Sequence, residues 1–401
     1  MRDLATIVTI KSTERIEGYD RIQLAWFEEN AYQAIVPIEV KQGDLVCWIE
    51  ADSLLPDIPR YEWLRKRCYV PSLGKLRIRV MKMAGYKSWG LVIPLNELPP
   101  RKRWYKKGED VTDFLGITKY EPAEDASPTK KQSILNVLYK RVPVLRPMLL
   151  FIRWIIRKLK HNTYEDFPSN LIAKTDETSI QNTPNKLEHY KNVEIYVTAK
   201  MEGQSATYFL DKRSKLRCCS RNIMYLDYTD NNYCNYAKDN KIRDILLKAR
   251  EEMGLDLIIQ GELVGPGIQK NIYKFDKLHM YVFNMFEMSQ KRYLDWLEMK
   301  DVANRLGLTL VPELDAYTYR RLEDVMPNVS AAEKVARDQY FITDGIYVQN
   351  IEMDNPNSLS TKKLWKDFYQ HEGIVVRGMK NEFSFKVKNI DYADWFSGRK
   401  D

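Results

Sequence analysis

Val193-Glu194-Ile195-Tyr196-Val197-Thr198-Ala199-Lys200 runs directly into Met201-Glu202-Gly203. The apolar residues of the run occupy alternate positions: Val193, Ile195, Val197 and Ala199. This period of two predicts a strand with one face in a core and Lys200 at its end, on the opposite face. Gly203 follows closely and would allow the backbone to approach a phosphate. Taken alone, such a lysine and glycine indicate only a strand that runs into a turn.

Three further motifs follow in a fixed order, and together with the first they predict a nucleotide-activating lysine. They are Gly261-Glu262-Leu263, His371-Glu372-Gly373-Ile374-Val375-Val376-Arg377 and Phe385-Lys386-Val387-Lys388. A lysine becomes nucleophilic only after losing its proton, and neighbouring cations and partial burial lower its pKa. Period two places Lys386 and Lys388 on one face, where they could bracket a phosphate and supply those cations. A solvated lysine face is the alternative for this motif alone.

Glu262 and Glu372 are the candidate acidic residues. Glu262 lies on a predicted strand, and Glu372 opens the strand that contains residues 374–376. A carboxylate beside clustered lysines can bind magnesium or fix a ribose hydroxyl, whereas a surface salt bridge is the structural alternative for each. Residues 278–286 are almost continuously apolar, which predicts a buried strand, and Phe283 in it could stack on a purine.

Composition limits the class of protein. The chain has 401 residues, 44% hydrophobic and 29% charged, which is enough for two or three domains with a sizeable core. A net charge of +8 permits a polyanionic partner. The five cysteines and four histidines show no metal-ligand spacing, so reduced thiols and a cytoplasmic location are expected. No signal peptide is evident, and no stable membrane association is predicted.

The N-terminal region, residues 1–118, shows short strands separated by turn signals. Leu76, Ile78 and Val80 alternate with basic residues, and Trp63, Trp89 and Trp104 lie among further arginines and lysines. This combination favours a small barrel of the oligonucleotide-binding (OB) kind that binds nucleic acid. The alternative is a barrel with a solvated basic face and tryptophans in its core.

Residues 119–162 are predicted to be a linker with a basic amphipathic helix between Val142 and Lys160. This helix could pack on the next domain, dock on an RNA backbone or, least favoured, lie on a membrane surface. Residues 163–401 are predicted to be an α+β domain. Two of its helices are expected at Lys241 to Met253, before Gly254, and at Asp295 to Leu306, before Gly307.

These motifs resemble those of the covalent nucleotidyltransferase superfamily, which contains ATP-dependent RNA and DNA ligases and mRNA capping enzymes. Lys200-Met201-Glu202-Gly203 is similar to the nucleotidyl-lysine motif, Ser220-Arg221-Asn222 to the arginine motif, and Gly261 to Gln269 to the glutamate motif of RNA-repair ligases. Tyr281-Val282-Phe283 resembles the purine-stacking motif, Glu372-Gly373 the metal-binding motif, and Lys386-Val387-Lys388 the terminal lysine pair.

The family-5 RNA ligases, with an N-terminal OB-like module and no C-terminal domain, are most similar. Lys174-Thr175-Asp176-Glu177 and the region from Leu4 to Pro94 support this resemblance, and Glu202 departs from it at a place often held by Asp. The resemblance implies an α+β protein with an N-terminal OB-like β-barrel. An ATP-grasp-like nucleotidyltransferase (ligase) domain of antiparallel sheets and helices would follow, as the adenylyltransferase domain.

The resemblance also implies an ATP-dependent RNA ligase that seals 3′-OH/5′-phosphate nicks through lysyl-AMP, in nucleic-acid repair. Lys200 would be the catalytic nucleophile, and Glu372 would hold Mg²⁺ or Mn²⁺. The nucleotide would be bound by the following residues: Arg221, Glu262, Phe283, Lys386 and Lys388. The expected partner is a nicked RNA duplex or RNA/DNA hybrid, and no oligomeric state is predicted.

Two alternatives stay open. An mRNA-capping guanylyltransferase would use GTP in the same chemistry, but it would need a further barrel where only residues 389–401 follow Lys388. A non-catalytic RNA-binding protein with a decayed ligase domain is the other, and the complete set of motifs argues against it.

Overall fold

The computed structural model describes residues 3–101, 103–120, 164–269, 271–273, 275–337, 340–343, 346–349, 372–389 and 392. They divide into two compact units. Unit 1 contains the described residues of the N-terminal region together with Thr178–His189, and unit 2 contains the rest. The predicted helix between Val142 and Lys160, most of the predicted linker and His371 lie outside the described residues.

Unit 1 is built on antiparallel strands. These are β1 (Ala5–Arg15), β2 (Ile22–Phe27), β3 (Gln33–Pro37), β4 (Leu45–Glu50), β5 (Ser53–Pro56), β6 (Tyr69–Val70), β7 (Lys75–Arg77), β8 (Met81–Met83), β9 (Tyr86–Ser88), β10 (Gly90–Pro94) and β11 (Thr118–Lys119). Its helices are α1 (Glu62–Cys68) and α2 (Asn185–His189). The strand orders are β10-β4-β1-β2-β3 and β11-β5-β7-β6, with β8 and β9 as a separate pair.

Strand β1 bends the larger sheet towards a barrel. Its first half pairs with β4 and its second half with β2, and the register shifts between Ile10 and Ser12. Such a shift increases local twist and curvature. The edge strands β3 and β10 approach each other, which nearly closes the barrel. The sheet has a core on each face, one around Ile7 and Ile49 and one around Val8 and Trp48.

The basic strand predicted around Leu76 is shorter than expected. It ends at Arg77, and Val80 is exposed rather than buried. Arg77 forms an ion pair with Asp52 at 2.7 Å, and its guanidinium lies 3.5 Å from the ring centroid of Tyr120. Part of the predicted basic face is therefore neutralised within the unit.

The strands of unit 2 are β12 (Tyr164–Asp166), β13 (Glu194–Ala199), β14 (Gln204–Leu210), β15 (Leu216–Cys219), β16 (Ile223–Tyr225), β17 (Leu257–Val264), β18 (His279–Glu287), β19 (Arg292–Tyr293), β20 (Arg320–Arg321), β21 (Tyr340–Thr343), β22 (Ile346–Gln349), β23 (Gly373–Gly378) and β24 (Ser384–Lys388). Its helices are α3 (Asn232–Asp239), α4 (Ile242–Met253), α5 (Trp296–Leu306), α6 (Leu322–Val325) and α7 (Val329–Arg337). A seven-stranded sheet has the order β12-β16-β15-β14-β17-β18-β19, and a four-stranded sheet has the order β20-β13-β23-β24.

Helices α3, α4 and α5 cover one face of the seven-stranded sheet. Their apolar residues join those of β14, β17 and β18 in the largest core of the unit. Both predicted helices are confirmed, because α4 ends at Gly254 and α5 ends at Gly307, each with a positive φ. The other face of the sheet carries polar residues of β14 and β17, among them Ser205 and Glu262, which lie opposite each other. The α+β class predicted from the sequence is confirmed.

The four-stranded sheet places the motif residues in register. Thr198 pairs with Val375 and Val375 with Lys386, and Gly373 pairs with Lys388. The backbone N–H of Lys200 donates to the carbonyl of Gly373 at 2.9 Å. Because paired residues share a face and the side-chain period is two, Lys200, Lys386 and Lys388 lie on one face. The predicted strand before Lys200 and the shared face of the lysine pair are thus both confirmed.

No helix among the residues described above is long and apolar enough to cross a membrane.

Helix α5 offers a test of local stability. Asp295 accepts a hydrogen bond from the backbone N–H of Glu298, and the Glu298 side chain accepts one from the backbone N–H of Asp295. Asp295→Ala removes half of this capping box and should lower the free energy of unfolding by about 1 kcal/mol. Urea denaturation measures the change. Asp301→Asn, on the same helix and 70% exposed, is the control, and equal stability of the two variants would contradict the prediction.

Candidate active site

Lys200 and Glu372 are in direct contact. The Nζ atom of Lys200 donates to Oε2 of Glu372, and the two side chains are 25% and 27% exposed. The contact follows from the pairing of β13 with β23, which brings the backbone of Lys200 to Gly373. The structure therefore joins the predicted nucleophile to the predicted metal-binding carboxylate.

Glu202 and Glu262 complete a group of three carboxylates around Lys200. Burial, with repulsion from the neighbouring carboxylates, raises the pKa of Glu262 to about 8. Burial and the charge of Glu372 raise the pKa of Glu202 to about 7, although Lys200 opposes the shift. The backbone N–H of Glu202 donates to the Tyr273 hydroxyl at 2.7 Å, which fixes the turn after Lys200. Near neutral pH, Glu262 and Glu202 therefore retain protons that ordinary carboxyl groups would have lost.

The predicted electrostatics of Lys200 are wrong. Burial lowers the pKa of Lys200, but Glu372, Glu262 and Glu202 outweigh this effect and raise its pKa above the ordinary value. The sequence suggested that clustered cations surround the amine, whereas carboxylates are its nearest charged neighbours. The amine is therefore protonated until other charges enter the site.

The candidate cations meet at one further carboxylate. An Oδ atom of Asp176 lies 3.4 Å from Nη2 of Arg221, and the other lies 3.6 Å from Nζ of Lys386. Arg221 also lowers the pKa of Glu262, so the two groups are close. Lys388 lies opposite Gly373 on the face that carries Lys200. The structure thus brings all four predicted basic residues to one region of unit 2.

Phe283 lies at an irregular point of β18. Gly261 pairs with Val282 and Gln260 with Asn284, so Phe283 is the extra residue of a β-bulge. Its ring is half-buried against an aromatic cluster that includes Tyr273 and Tyr281. A bulge next to a site re-aims a side chain, which suits a ring that must present one face to a ligand.

Gly203 and Gly373 are required by close packing. A Cβ atom on Gly203 would lie 2.4 Å from the carbonyl oxygen of Leu263, and one on Gly373 would lie 2.1 Å from that of Val387. Gly373 also has a φ of +143°, which favours glycine. The sequence suggested that Gly203 allows close approach to a phosphate. The structure gives a second reason for glycine, because this residue packs closely against β17, the strand that carries Glu262.

Sequence reasoning missed several residues of the site. Arg377, only 5% exposed, forms an ion pair with Glu177 at 2.8 Å, and its Nη1 atom donates to the backbone carbonyl of Phe283 at 3.5 Å. Asp176 and Tyr273 were missed as well. Arg377, Asp176 and Glu177 belong to motifs quoted above, but their roles depend on partners far away in the chain, and no local pattern shows them.

The carboxylates of the site suit a metal ion whose remaining ligands are water and substrate phosphates. No cluster of three or more His, Cys, Asp and Glu side chains in the described ranges is close enough to enclose a metal ion. Mg²⁺ commonly binds through one or two carboxylates together with water and substrate phosphates. Burial and, to a smaller extent, repulsion between carboxylates raise the pKa of Glu262 and Glu202, and a cation among them would relieve that repulsion. Glu372 and Glu262 therefore fit such a metal as partial ligands.

Comparisons with known proteins agree with this geometry. Residues 193–388 match the family model for RNA ligase, and residues 4–95 match an OB-fold domain model. No curated protein matches the chain. The structure of a Naegleria gruberi RNA ligase variant with ATP and Mn aligns with a TM-score of 0.73 and 23% identity, covering 99% of each chain. The same ligase with PPi aligns with a TM-score of 0.72 and 23% identity, covering 100% of each.

A third structure, of another variant of that ligase with AMP and Mn, has a TM-score of 0.70 and 23% identity and covers 99% of this chain and 100% of that one. At this level of identity the alignments establish the fold. The predicted N-terminal OB-fold barrel followed by a ligase domain of sheets and helices is confirmed.

The raised pKa of Glu262 predicts a dependence of stability on pH. Folding raises this pKa from 4.5 to about 8, so between these values the folded protein keeps a proton that the unfolded chain has lost. The resulting stabilisation is present below pH 4.5 and is lost as the pH rises to about 8. Glu262→Gln cannot ionise, so its melting temperature relative to the wild type should increase between about pH 5 and about pH 9. Asp301→Asn is the control. If the difference in melting temperature between Glu262→Gln and the wild type does not change with pH, the raised pKa of Glu262 is rejected.

Proposed function

We propose that this chain, whose residues 193–388 match the family model for RNA ligase, is an ATP-dependent RNA ligase that seals 3′-OH/5′-phosphate nicks through a covalent lysyl-AMP intermediate. The observation that carries this proposal is the contact of Lys200 with Glu372, beside Glu262 and on the sheet face shared with Lys386 and Lys388. ATP and Mn in the matched Naegleria structures support ATP with Mg²⁺ or Mn²⁺ as cofactors.

Lys200 must lose a proton before it reacts. Its Nζ atom donates a hydrogen bond to Oε2 of Glu372. The carboxylate of Glu372 is therefore placed to accept the proton that Lys200 must lose. A divalent cation, when bound, supplies charge that neutralises the carboxylates and weakens their hold on the ammonium. Glu372 and Glu262 would hold it, with ligands from phosphate and water. The same carboxylates that raise the pKa of Lys200 would thus bind the cation that lowers it again.

The chemistry is a displacement at phosphorus. Nζ of Lys200 forms a bond to the α-phosphorus of ATP, and the bond from that phosphorus to the bridging oxygen breaks, so pyrophosphate leaves with the electron pair. Such transfers depend mainly on in-line positioning and on neutralisation of charge. Arg221, Lys386 and Lys388 are proposed to bind the phosphates.

The remaining nucleotide contacts and the later steps follow the same proposal. Phe283 is assigned to the adenine face and Glu262 to the ribose as well as to the cation. AMP then passes from Lys200 to an RNA 5′-phosphate, and a 3′-OH attacks that activated phosphate and releases AMP. Nicked duplex RNA or an RNA/DNA hybrid, in nucleic-acid repair, is the proposed substrate.

Unit 1 is proposed to bind the RNA. Its OB-fold barrel exposes two of the tryptophans that the sequence placed among basic residues, Trp63 at 57% and Trp104 at 93%. Exposed aromatic rings next to arginine and lysine suit stacking on bases and attraction to the phosphate backbone. All five cysteines are buried free thiols, which supports the proposed cytoplasmic location.

The proposed nucleophile can be tested directly. Lys200→Ala should abolish the transfer of label from α-labelled ATP to the protein, because it removes the amine that forms the bond to phosphorus. Gel electrophoresis of the labelled protein measures the adduct. Lys212→Ala, which removes an exposed lysine of the same unit, should label normally. Unchanged labelling of Lys200→Ala would refute the assignment, and labelling by GTP instead of ATP would favour the guanylyltransferase alternative.

A second test concerns unit 1. Trp104→Ala should reduce nick sealing at limiting RNA by about tenfold, because stacking on one base contributes about 1–3 kcal/mol. Self-adenylylation, which requires no RNA, should not change. Leu297→Ala removes a large apolar side chain of unit 2 that is 58% exposed and serves as the control. Equal losses in both reactions for Trp104→Ala would make this tryptophan structural.

A further inference from the structure

Residues 173–177, here called the strap, connect the two sheets of unit 2. At one end the carbonyl of Ala173 accepts a hydrogen bond from the side chain of Gln260 at 3.1 Å, and the hydroxyls of Thr175 and Ser205 are 3.2 Å apart. Gln260 and Ser205 belong to β17 and β14. This part of the strap is therefore fixed to the polar face of the seven-stranded sheet, where Glu262 lies.

The other end of the strap is fixed to the four-stranded sheet. Glu177 forms an ion pair with Arg377 of β23 at 2.8 Å and accepts a hydrogen bond from the Ser384 hydroxyl of β24. Arg377, Ser384 and Lys386 share one face of that sheet. Arg377 and Ser384 lower the pKa of Glu177 in spite of its burial, so the carboxylate stays charged and the connection holds at neutral pH.

Asp176 lies between these two attachments and contacts a cation from each sheet. Arg221 lies in the turn between β15 and β16 of the seven-stranded sheet, and Lys386 lies on β24 of the four-stranded sheet. The distances to Asp176 are 3.4 Å and 3.6 Å, longer than the 2.7–2.9 Å typical of a direct charged hydrogen bond. Two cations on different sheets repel each other, and the shared carboxylate opposes that repulsion.

We infer that Asp176 is a positioning residue that holds Arg221 and Lys386 together as one binding site for a phosphate group of the nucleotide. The inference rests on the proposed function, in which these two cations bind ATP. The guanidinium of Arg221 has five N–H donors and the ammonium of Lys386 has three. Each cation can therefore contact Asp176 and still donate to phosphate oxygens. Asp176 would act through the two cations and would not contact the reacting atoms.

The test compares the Michaelis constant for ATP with the maximal rate of self-adenylylation. Asp176→Asn keeps the shape and removes the charge, so the KM for ATP should rise about tenfold while the rate at saturating ATP changes by less than about threefold. Asp176→Glu retains the carboxylate and should recover most of the affinity. Asp301→Asn removes an equivalent charge from the surface of the same unit and should behave as the wild type.

A double-variant cycle tests whether Asp176 acts through Arg221. If it does, Asp176→Asn should raise the KM clearly less in an Arg221→Ala background than in the wild type, because only Lys386 is then left for Asp176 to position. Independent, multiplying effects of the two substitutions would overturn the inference.

Four other outcomes have defined meanings. A lower KM for Asp176→Asn would show that Asp176 competes with the phosphate, and would overturn the inference. A common loss of melting temperature and maximal rate, or failure to fold, would make Asp176 merely structural and would also overturn it. Normal labelling of the wild type with no effect of Asp176→Asn rejects this inference alone, whereas absence of any adduct in the wild type rejects the proposed ligase.

Discussion

The antiparallel pairing of β13 with β23 is the constraint on which the site depends. It aligns Ala199 with Ile374 and sets the backbone of Lys200 against Gly373, so the lysine meets Glu372 without a flexible segment between them. The same sheet continues into β24 and adds Lys386 and Lys388 to that face. A shift of one residue in this register would turn every one of these side chains to the opposite face. Gly373 protects the register, because any side chain there would collide with β24.

Electrostatically, the site is prepared for ligands of both signs. Lys200 lies among Glu202, Glu262 and Glu372, and burial raises the pKa of Glu202 and Glu262. A second cluster, with Arg221 and Lys386 about Asp176, lies beside it. A metal–nucleotide complex carries positive charge to the first cluster and negative charge to the second. Each cluster thus carries charge that is complementary to one part of such a complex.

Sequence patterns predicted the features that depend on the spacing of apolar residues within one element and on the residues at which a helix ends. The strand before Lys200 followed from alternation, helices α4 and α5 from their apolar faces and terminal glycines, and the shared face of Lys386 and Lys388 from period two. The pKa shift of Lys200 was predicted in the wrong direction, because it depends on carboxylates brought in from β17 and β23. Asp176 and Glu177 were overlooked for the same reason, since their partners lie in distant parts of the chain.

The pairing of β13 with β23 also bears on how the chain folds. Most neighbours in the seven-stranded sheet are consecutive strands, such as β14 with β15 and β17 with β18, and these can form over short loops. Lys200 and Glu372 are 172 residues apart in the chain, and closure of so long a loop is slow and costs more entropy. We therefore expect the hairpins of consecutive strands to form first and the pairing of β13 with β23 to form late. An adduct on Lys200 would then mark those molecules in which the last long-range pairing is complete.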